Sequence, residues 1–353
     1  LIFVFGEIDM DKKKKPRLKD IADKLGISVN AVSLALNNKV GVSDETRLQV
    51  LRVADDLGYL DQCKAAGKRP HYNNICVLLE EKVFKDTRFY PKVILGIENE
   101  AKANHYDTLL NFISKDRYDV PQCIERGKVD GIIVLGHIDD EYLNLLKAFK
   151  IPLILVDYAS MSVNTDAVLT QNIPGAFKGT EYLIKNGHRH IGFFGEIDAA
   201  MSFNERWLGF NMALNHYHIP VSSEYCITRN VEENALKNNY LAIVDMLKDM
   251  KSFPTAWFCA NDSAAAVLIN ALKNLGKKVP DDISVMGFDD IDICAMTEPQ
   301  LTTMHISKEV MGITAVKELL DNIKAPNTMQ RHIRLPVRLK ERDSVRRITD
   351  GKN

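Results

Sequence analysis

No stretch of the 353 residues approaches the ~18 consecutive apolar residues that a bilayer-crossing helix needs, so the chain does not read as a membrane protein. Cysteine is scarce. Cys63, Cys76, Cys123, Cys226, Cys259 and Cys294 are scattered without a C-x-x-C pair, which argues against a disulfide framework or a zinc ribbon and for a reducing, cytoplasmic compartment. A large net charge of either sign is also lacking, the formal total being -1. The apolar opening Leu1–Phe5 has no basic lead and no small-residue cleavage site, so it does not read as a secretory signal. Met10 is an alternative start, and residues 1–15 are expected to be a disordered extension. No G-x-x-x-x-G-K-[ST], G-x-S-x-G or strand-linked G-x-G-x-x-G occurs, which leaves nucleotide-binding and hydrolase readings without support. His188 and His190 lack metal-ligand spacing, His216 and His218 would point to different faces of a helix, and the Asp289, Asp290, Asp292 cluster has neither the glycine nor the terminal glutamate of a calcium loop. No catalytic set, metal site or cofactor is expected.

What is present is a basic head on a mildly acidic body. Residues 12–69 carry 13 Lys/Arg against 7 Asp/Glu, and the rest of the chain holds the compensating negative charge. Such a division suggests that only the head meets a polyanion. With 46% hydrophobic and 26% charged residues, the chain can build more than one core.

The head reads as three short helices. Leu18, Ile21, Ala22 and Leu25 fall on one helical face, and Gly26 stops the run. Ser28 is placed to cap a second helix, in which Val32, Ala35 and Leu36 share one side while Asn30, Ser33, Leu34 and Asn37 share the other. Ser43 is placed to cap a third, with Asp44 and Glu45 in its first turn, apolar Val50, Leu51, Ala54 and Leu57, and Gly58 at its end. Two helices joined by a tight turn with a third behind make a helix-turn-helix, whose second helix enters the major groove with its N-terminal end leading. Asn30 could then pair with adenine, Ser28 and Ser33 could reach phosphate or base edges, and Val29 or Leu34 could touch a thymine methyl. Lys19, Arg47 and Lys12–Lys15 would neutralise phosphates. Pattern alone leaves a second reading open, that of a three-helix unit that binds protein and has a polar face because it is solvated.

The landmarks are more specific than the pattern. Asp20-Ile21-Ala22, Gly26-Ile27-Ser28, Val32-Ser33…Leu36-Asn37, Val42-Ser43…Thr46-Arg47 and Leu57-Gly58-Tyr59 follow in order, and the stretch resembles the DNA-binding head of the LacI/GalR family of bacterial transcriptional regulators. By that likeness Val29 and Asn30 match the two main specificity positions. Lys19, Ser28, Ser33, Asn37 and Arg47 match support and phosphate contacts. Two departures stand out. Leu34 occupies a place where many relatives carry a guanine-reading arginine, and the short linker from Asp61 to Arg69 has no leucine to wedge into a minor groove.

Beyond a hinge or linker at 61–73, apolar runs at 75–79, 108–112, 131–135, 152–156, 190–194, 255–259 and 283–288 alternate with amphipathic helical stretches at 93–103, 176–185, 207–215, 264–275 and 308–323. This is the signature of parallel sheets covered by helices on both faces. Its length suggests two side-by-side sheets with a cleft, where ligands sit beyond the carboxyl ends of strands. Asp157, Asn261, Asp262 and Asp289 fall at such ends. The resemblance continues through 168–195, 205–210, 258–290 and 299–312 to an effector domain similar to periplasmic sugar-binding proteins. It implies a two-lobed domain over 74–343 (lobe 1 about 74–171 and 301–328, lobe 2 about 172–300 and 329–343) and a tail at 344–353. It further implies that Phe89, Tyr90, Asp157, Arg206, Asn261 and Asp289 hold an effector, a sugar or sugar derivative first, with a purine, a nucleoside or a partner protein as the alternative. A homodimer on a palindromic operator is expected, with a tetramer as the larger assembly. An α/β enzyme or an exported solute receptor is the rival class. The first would need a convergent acid/base set and the second export without a basic head.

Overall fold

The computed structural model describes residues 16–36, 39, 41–59, 71–81, 89–114, 119–325 and 329–348, arranged as two units. The expectations for the N-terminal extension, for Asn37, for the linker residues 61–70 and for the tail beyond 348 lie outside those residues.

The first unit is the three-helix head: α1 (Leu18–Leu25), α2 (Val29–Leu36) and α3 (Asp44–Asp56). Local chemistry sets each boundary. The Arg17 backbone N–H donates to the Asp20 carboxylate at 2.6 Å, and Gly26, at φ 67°, returns its N–H to the Ala22 carbonyl. The Ser28 hydroxyl accepts from the Ala31 amide (3.0 Å) and the Ser43 hydroxyl from the Thr46 amide (3.2 Å). These contacts satisfy donors that a helix start leaves open. Ile21, Ala22, Val32, Ala35, Leu36, Val50 and Ala54 close into one small core. Burying each large aliphatic among them contributes about 1.5–3 kcal/mol.

The second unit alternates strands and helices: β1 (Asn74–Glu80), α4 (Tyr90–Ala103), β2 (Asp107–Ile113), α5 (Gln122–Glu125), β3 (Gly131–Leu135), α6 (Asp140–Ala148), β4 (Leu153–Val156), β5 (Asp166–Thr170), α7 (Asn172–Lys185), β6 (Ile191–Phe194), α8 (Met201–His216), α9 (Glu232–Leu236), α10 (Tyr240–Leu247), β7 (Ala256–Cys259), α11 (Asp262–Asn274), β8 (Ser284–Asp289), β9 (Thr302–His305), α12 (Lys308–Lys324), β10 (His332–Leu335) and β11 (Arg338–Lys340). Among the described residues they form a six-stranded sheet, β10-β5-β4-β3-β1-β2, and a five-stranded sheet, β11-β9-β8-β7-β6. All pairings are parallel except that of β11 with β9. The central strands are buried along their whole length, as for Gly131–Leu135 and Ala256–Cys259, because helices cover both faces.

The two-lobed α/β arrangement read from the alternation is the one the chain adopts, but the fine boundaries between lobes differ in two places. β9 belongs to the second sheet, where residues 301–328 were expected in lobe 1, and β10 belongs to the first sheet, where 329–343 were expected in lobe 2. The chain therefore crosses between lobes near residues 171, 306 and 336. The third crossing comes from two short edge strands whose alternating burial does not tell which sheet they join. Residues 344–348 are also held by lobe 2. The Ser344 hydroxyl donates to the Val285 carbonyl (2.6 Å) and the Ile348 amide to the Asn186 carbonyl (2.7 Å).

In lobe 1, α4 and α12 cross closely enough that a Cβ on Gly96 would lie 2.1 Å from the Glu309 carbonyl oxygen, and one on Gly312 2.1 Å from that of Val93. No side chain fits there, so these two glycines set the distance between the helices.

Candidate functional site

The head presents the N-terminal half of α2 to solvent. Asn30 is exposed and Val29 is 44% exposed, while Val32, Ala35 and Leu36 on the opposite side are buried. Ser28 is committed through its hydroxyl to the helix start, yet it is exposed at the same end. Ser33 and Leu34 are half-buried, and Leu34 leans on the next loop, where a Cβ at Gly41 would meet its Cδ1 at 3.2 Å. Lys19 is exposed on α1. Arg47 has a further role that its position in the motif did not reveal. Its guanidinium donates to the carbonyls of Ala35 (3.4 Å) and Lys39 (3.1 Å), so it ties α3 to the C-terminal end of α2 and to the loop after it, and it satisfies one carbonyl that the helix end leaves open.

In the body, five of the six candidates are joined by contacts into two groups, one from each lobe. Phe89 and Tyr90 open α4, with their rings edge-on at 5.2 Å. The Tyr90 hydroxyl donates to the Asp157 carboxylate at 3.1 Å. Asp157 follows β4 at φ 62°, a left-handed conformation that costs a non-glycine residue on the order of 1 kcal/mol or more. Burial pushes its carboxyl up to about 7 against the pull of the nearby Arg206 charge, and Asp289 pushes the same way as burial. These mutual charge effects bring Asp157 into the same electrostatic site as the pair from lobe 2.

That pair is Arg206 and Asp289. Arg206, on α8, is 2% exposed. Its Nε donates to Asn172 Oδ1 (3.1 Å) and its Nη1 to the Ala260 carbonyl (2.6 Å), and Nη2 lies 2.8 Å from Asp289 Oδ1. The plane of the guanidinium covers the Phe288 ring at 3.9 Å, a favourable arrangement for a desolvated cation. Asp289 closes β8 at φ 115°, again left-handed. Its Oδ1 is buried, with the Arg206 guanidinium as its charge partner. Burial raises the Asp289 carboxyl, and the charges of Arg206 and Lys308 oppose it. Burial together with the Asp289 charge also pushes the neighbouring Asp262 up to about 7, while its oxygens accept from the Thr303 hydroxyl (2.5 Å) and the Ile291 amide (3.0 Å).

Asn261 is the candidate whose side chain is already engaged elsewhere. Its Oδ1 caps α11 by accepting the Ala264 amide (2.7 Å), and its Nδ2 donates to the Glu232 carboxylate (3.1 Å). Three residues of the site went unread in the sequence. Asn172 orients Arg206 and itself donates to Glu205 (2.9 Å), Glu232 holds Asn261, and Lys308 donates to the carbonyls of Asp289, Asp290 and Ile306 while lying over the Phe89 ring at 5.7 Å. Lys308 opens an amphipathic helix and looks like a surface lysine. Only the chain crossing at residue 306 brings it inside, where burial lowers its ammonium. Among the described residues no group of His, Cys, Asp and Glu is placed to hold a metal ion, and no helix is long and apolar enough to cross a membrane.

What the arrangement can do chemically is bind a small polar ring. A buried carboxylate beside a clamped guanidinium suits vicinal hydroxyls or ring N–H groups, and the aromatic pair supplies an apolar face.

Known proteins resemble the chain along its length. Residues 17–62 match the model of bacterial regulatory proteins of the lacI family, and residues 180–345 match a periplasmic binding protein-like domain. An HTH-type transcriptional repressor PurR of Photobacterium profundum is 32% identical over 339 residues, covering 93% of this chain and 98% of the relative. A probable HTH-type transcriptional repressor ExuR of Bacillus subtilis is 29% identical, covering 94% and 99%. Among solved structures, a LacI family transcriptional regulator from Enterococcus faecium with bound ribose superimposes with a TM-score of 0.67 at 28% identity, over 78% of this chain and all of that one.

Proposed function

The chain belongs to the LacI family of bacterial regulatory proteins, and on that premise we propose that it is a cytoplasmic repressor that binds a palindromic DNA operator as a dimer under the control of a small hydroxyl-bearing ring, a sugar or sugar derivative. The observation that carries the DNA half is the exposed start of α2, where Val29 and Asn30 face solvent above a closed three-helix core. In this reading Val29, Asn30 and the half-buried Leu34 contact base edges. Lys19, Ser28, Ser33, Asn37 and Arg47 fix the head on the phosphates.

The effector half rests on the buried Asp289 carboxylate, paired at 2.8 Å with the clamped Arg206 guanidinium. Phe89 and Tyr90 cover the ring from lobe 1, and Asp157 meets its edge. Asn261 acts through the amide that Glu232 now holds. Ribose in the E. faecium relative is consistent with this class. A second reading, a purine base or nucleoside, draws on the relatives named PurR and on the same carboxylate, which can accept from ring N–H groups. Ligand shifts the operator affinity only by its differential affinity for two lobe arrangements, and those arrangements set the spacing of the paired heads.

The test is a gel shift of full-length protein on palindromic sites from upstream of its own gene, across a salt series, with pentoses, hexoses, uronic acids, hypoxanthine and guanine as separate additions. Binding that is specific, salt-dependent and altered by one sugar is the expected result. An effect confined to the purines replaces the sugar with the second reading. Duplex affinity no greater than that of residues 70–353 alone would end the DNA proposal.

A further inference from the structure

Away from the cleft, lobe 1 holds two cysteines in contact. Cys76 is a fully buried residue of β1, which lies between β2 and β3. Cys123 is the second residue of the four-residue helix α5 and is half-buried. Their sulfur atoms are 3.8 Å apart, and the Asn111 side-chain amide reaches both, at 3.4 Å and 3.9 Å. Other described cysteines show no such partner. Cys259 and Cys294 are buried, and burial pushes their thiols up, which keeps them protonated and inert.

We propose that Cys76 and Cys123 are a hydroperoxide-responsive pair that closes into a disulfide within lobe 1. A disulfide needs its sulfurs at about 2.05 Å, so the pair must approach by less than about 2 Å. The two elements differ in their freedom to do this. β1 is hydrogen-bonded on both sides, whereas α5 is a single turn between Pro121 and Gly127, so Cys123 is the sulfur that moves. Chemistry assigns Cys123 the attacking role as well. It is the more accessible member of the pair, and hydrogen bonding with the Cys76 thiol brings its own thiol down to about 7, with the amides at the start of α5 adding to the effect. Cys76 is pushed the other way by the same contact and by burial, so it stays a thiol until it is needed.

In the first step the Cys123 thiolate attacks one peroxide oxygen. An S–O bond forms, the O–O bond breaks, and the departing oxygen takes a proton from solvent to leave as water or an alcohol. In the second, the Cys76 sulfur attacks the Cys123 sulfur. The S–S bond forms, the S–O bond breaks, and the Cys76 proton leaves with that oxygen as water. The two thiols lose two electrons to the peroxide, and a dithiol reductant returns them.

Full-length protein would be titrated with hydrogen peroxide, alkylated before and after reduction, and mapped by peptide mass. The expected result is one cross-linked species joining the Cys76 and Cys123 peptides, short of two hydrogens and restored by dithiothreitol, whose rate rises through about pH 7. Cys76→Ala should leave Cys123 as a sulfenic acid that dimedone captures, and Cys123→Ser should leave Cys76 as a thiol. If Cys76→Ala does not fold, the wild-type map and Cys123→Ser decide alone. Cys123 oxidised beyond sulfenic acid with Cys76 still a thiol, cross-links between chains only, or no reaction at either cysteine would each overturn the proposal. DNA binding and effector binding play no part in these readouts, so their failure leaves it standing.

Discussion

Arg206 directs its donors at the protein itself, to Asn172, Ala260 and Asp289. Removing it leaves Asp289 buried without its cation, which for a broken buried pair costs about 3–5 kcal/mol. Arg206→Ala is therefore expected to lower the urea midpoint sharply as well as to abolish effector binding. Arg206→Lys should recover part of the stability and little of the binding, because an ammonium cannot lie flat on Phe288 while serving three acceptors. Urea titration and calorimetry on both variants check this, and equal recovery of the two properties would count against it. The buried carboxyls make a second prediction. Asp157 and Asp262 are raised to about 7, whereas an unfolded Asp titrates near about 4. Between those values the folded protein holds protons that the unfolded chain has lost, so the contribution of these groups to stability is full below about pH 4, falls as pH rises, and is flat above about 7. Thermal melts of wild type against Asp157→Asn should diverge in the variant's favour as pH rises from 5 to 7.5. Parallel curves would refute it. On the head, Asn30→Ala should cost about 1–3 kcal/mol at one base step with the salt slope unchanged, whereas Lys19→Ala should weaken all duplexes alike and reduce the slope by about one. Fluorescence anisotropy across salt separates the two.

At the scale of the element, the clearest prediction concerns the crossing of α4 and α12. Gly312→Ala places a methyl against the Val93 carbonyl, which must move or push the helices apart. Overpacking of this kind costs about 1–3 kcal/mol, and a melting temperature unchanged in the variant would show that the crossing is looser than described. The head was legible because its signals are local: Ser28 and Ser43 hydroxyls on free amides, Gly26 and Gly58 at positive φ, and a 3.6-residue apolar period. The central strands were legible for the same reason, each being a continuous apolar run. The edge strands β10 and β11 were not. Half their residues face solvent, and their identity as strands comes from neighbours far away in sequence. Short helices such as α9 and α10 also left no strong period. In the site, Asp157 and Asp289 stood out as acids closing apolar runs. Lys308 did not, because a lysine opening an amphipathic helix looks the same in sequence whether it meets water or a cluster of carbonyls. Arg47 shows the opposite limit. Its place in the motif suggested a phosphate contact, but its hold on the end of α2 depends on a loop geometry that spacing does not reveal.

For the body as a whole, the lobes communicate through three chain crossings and through side chains between them, among which Lys92 and Asp292 pair at 2.6 Å. Both are substantially exposed, and a pair of that kind contributes about 0–1 kcal/mol. Asp292→Ala should thus change effector affinity by no more than a few-fold, as calorimetry would show. A larger loss would mean that this pair, and not the buried Arg206 cluster, governs closure. The crossings bear on how the molecule is made. β10 and β11 each complete an edge of one sheet, and Ser344 and Ile348 fasten lobe 2 after them. During synthesis lobe 1 cannot finish its sheet until residues 332–335 have cleared the ribosome, nor lobe 2 until residues 338–340 have. A stop codon between α12 and β10 would then strip both halves of the sensor at once while sparing the head, leaving a DNA reader with no working control.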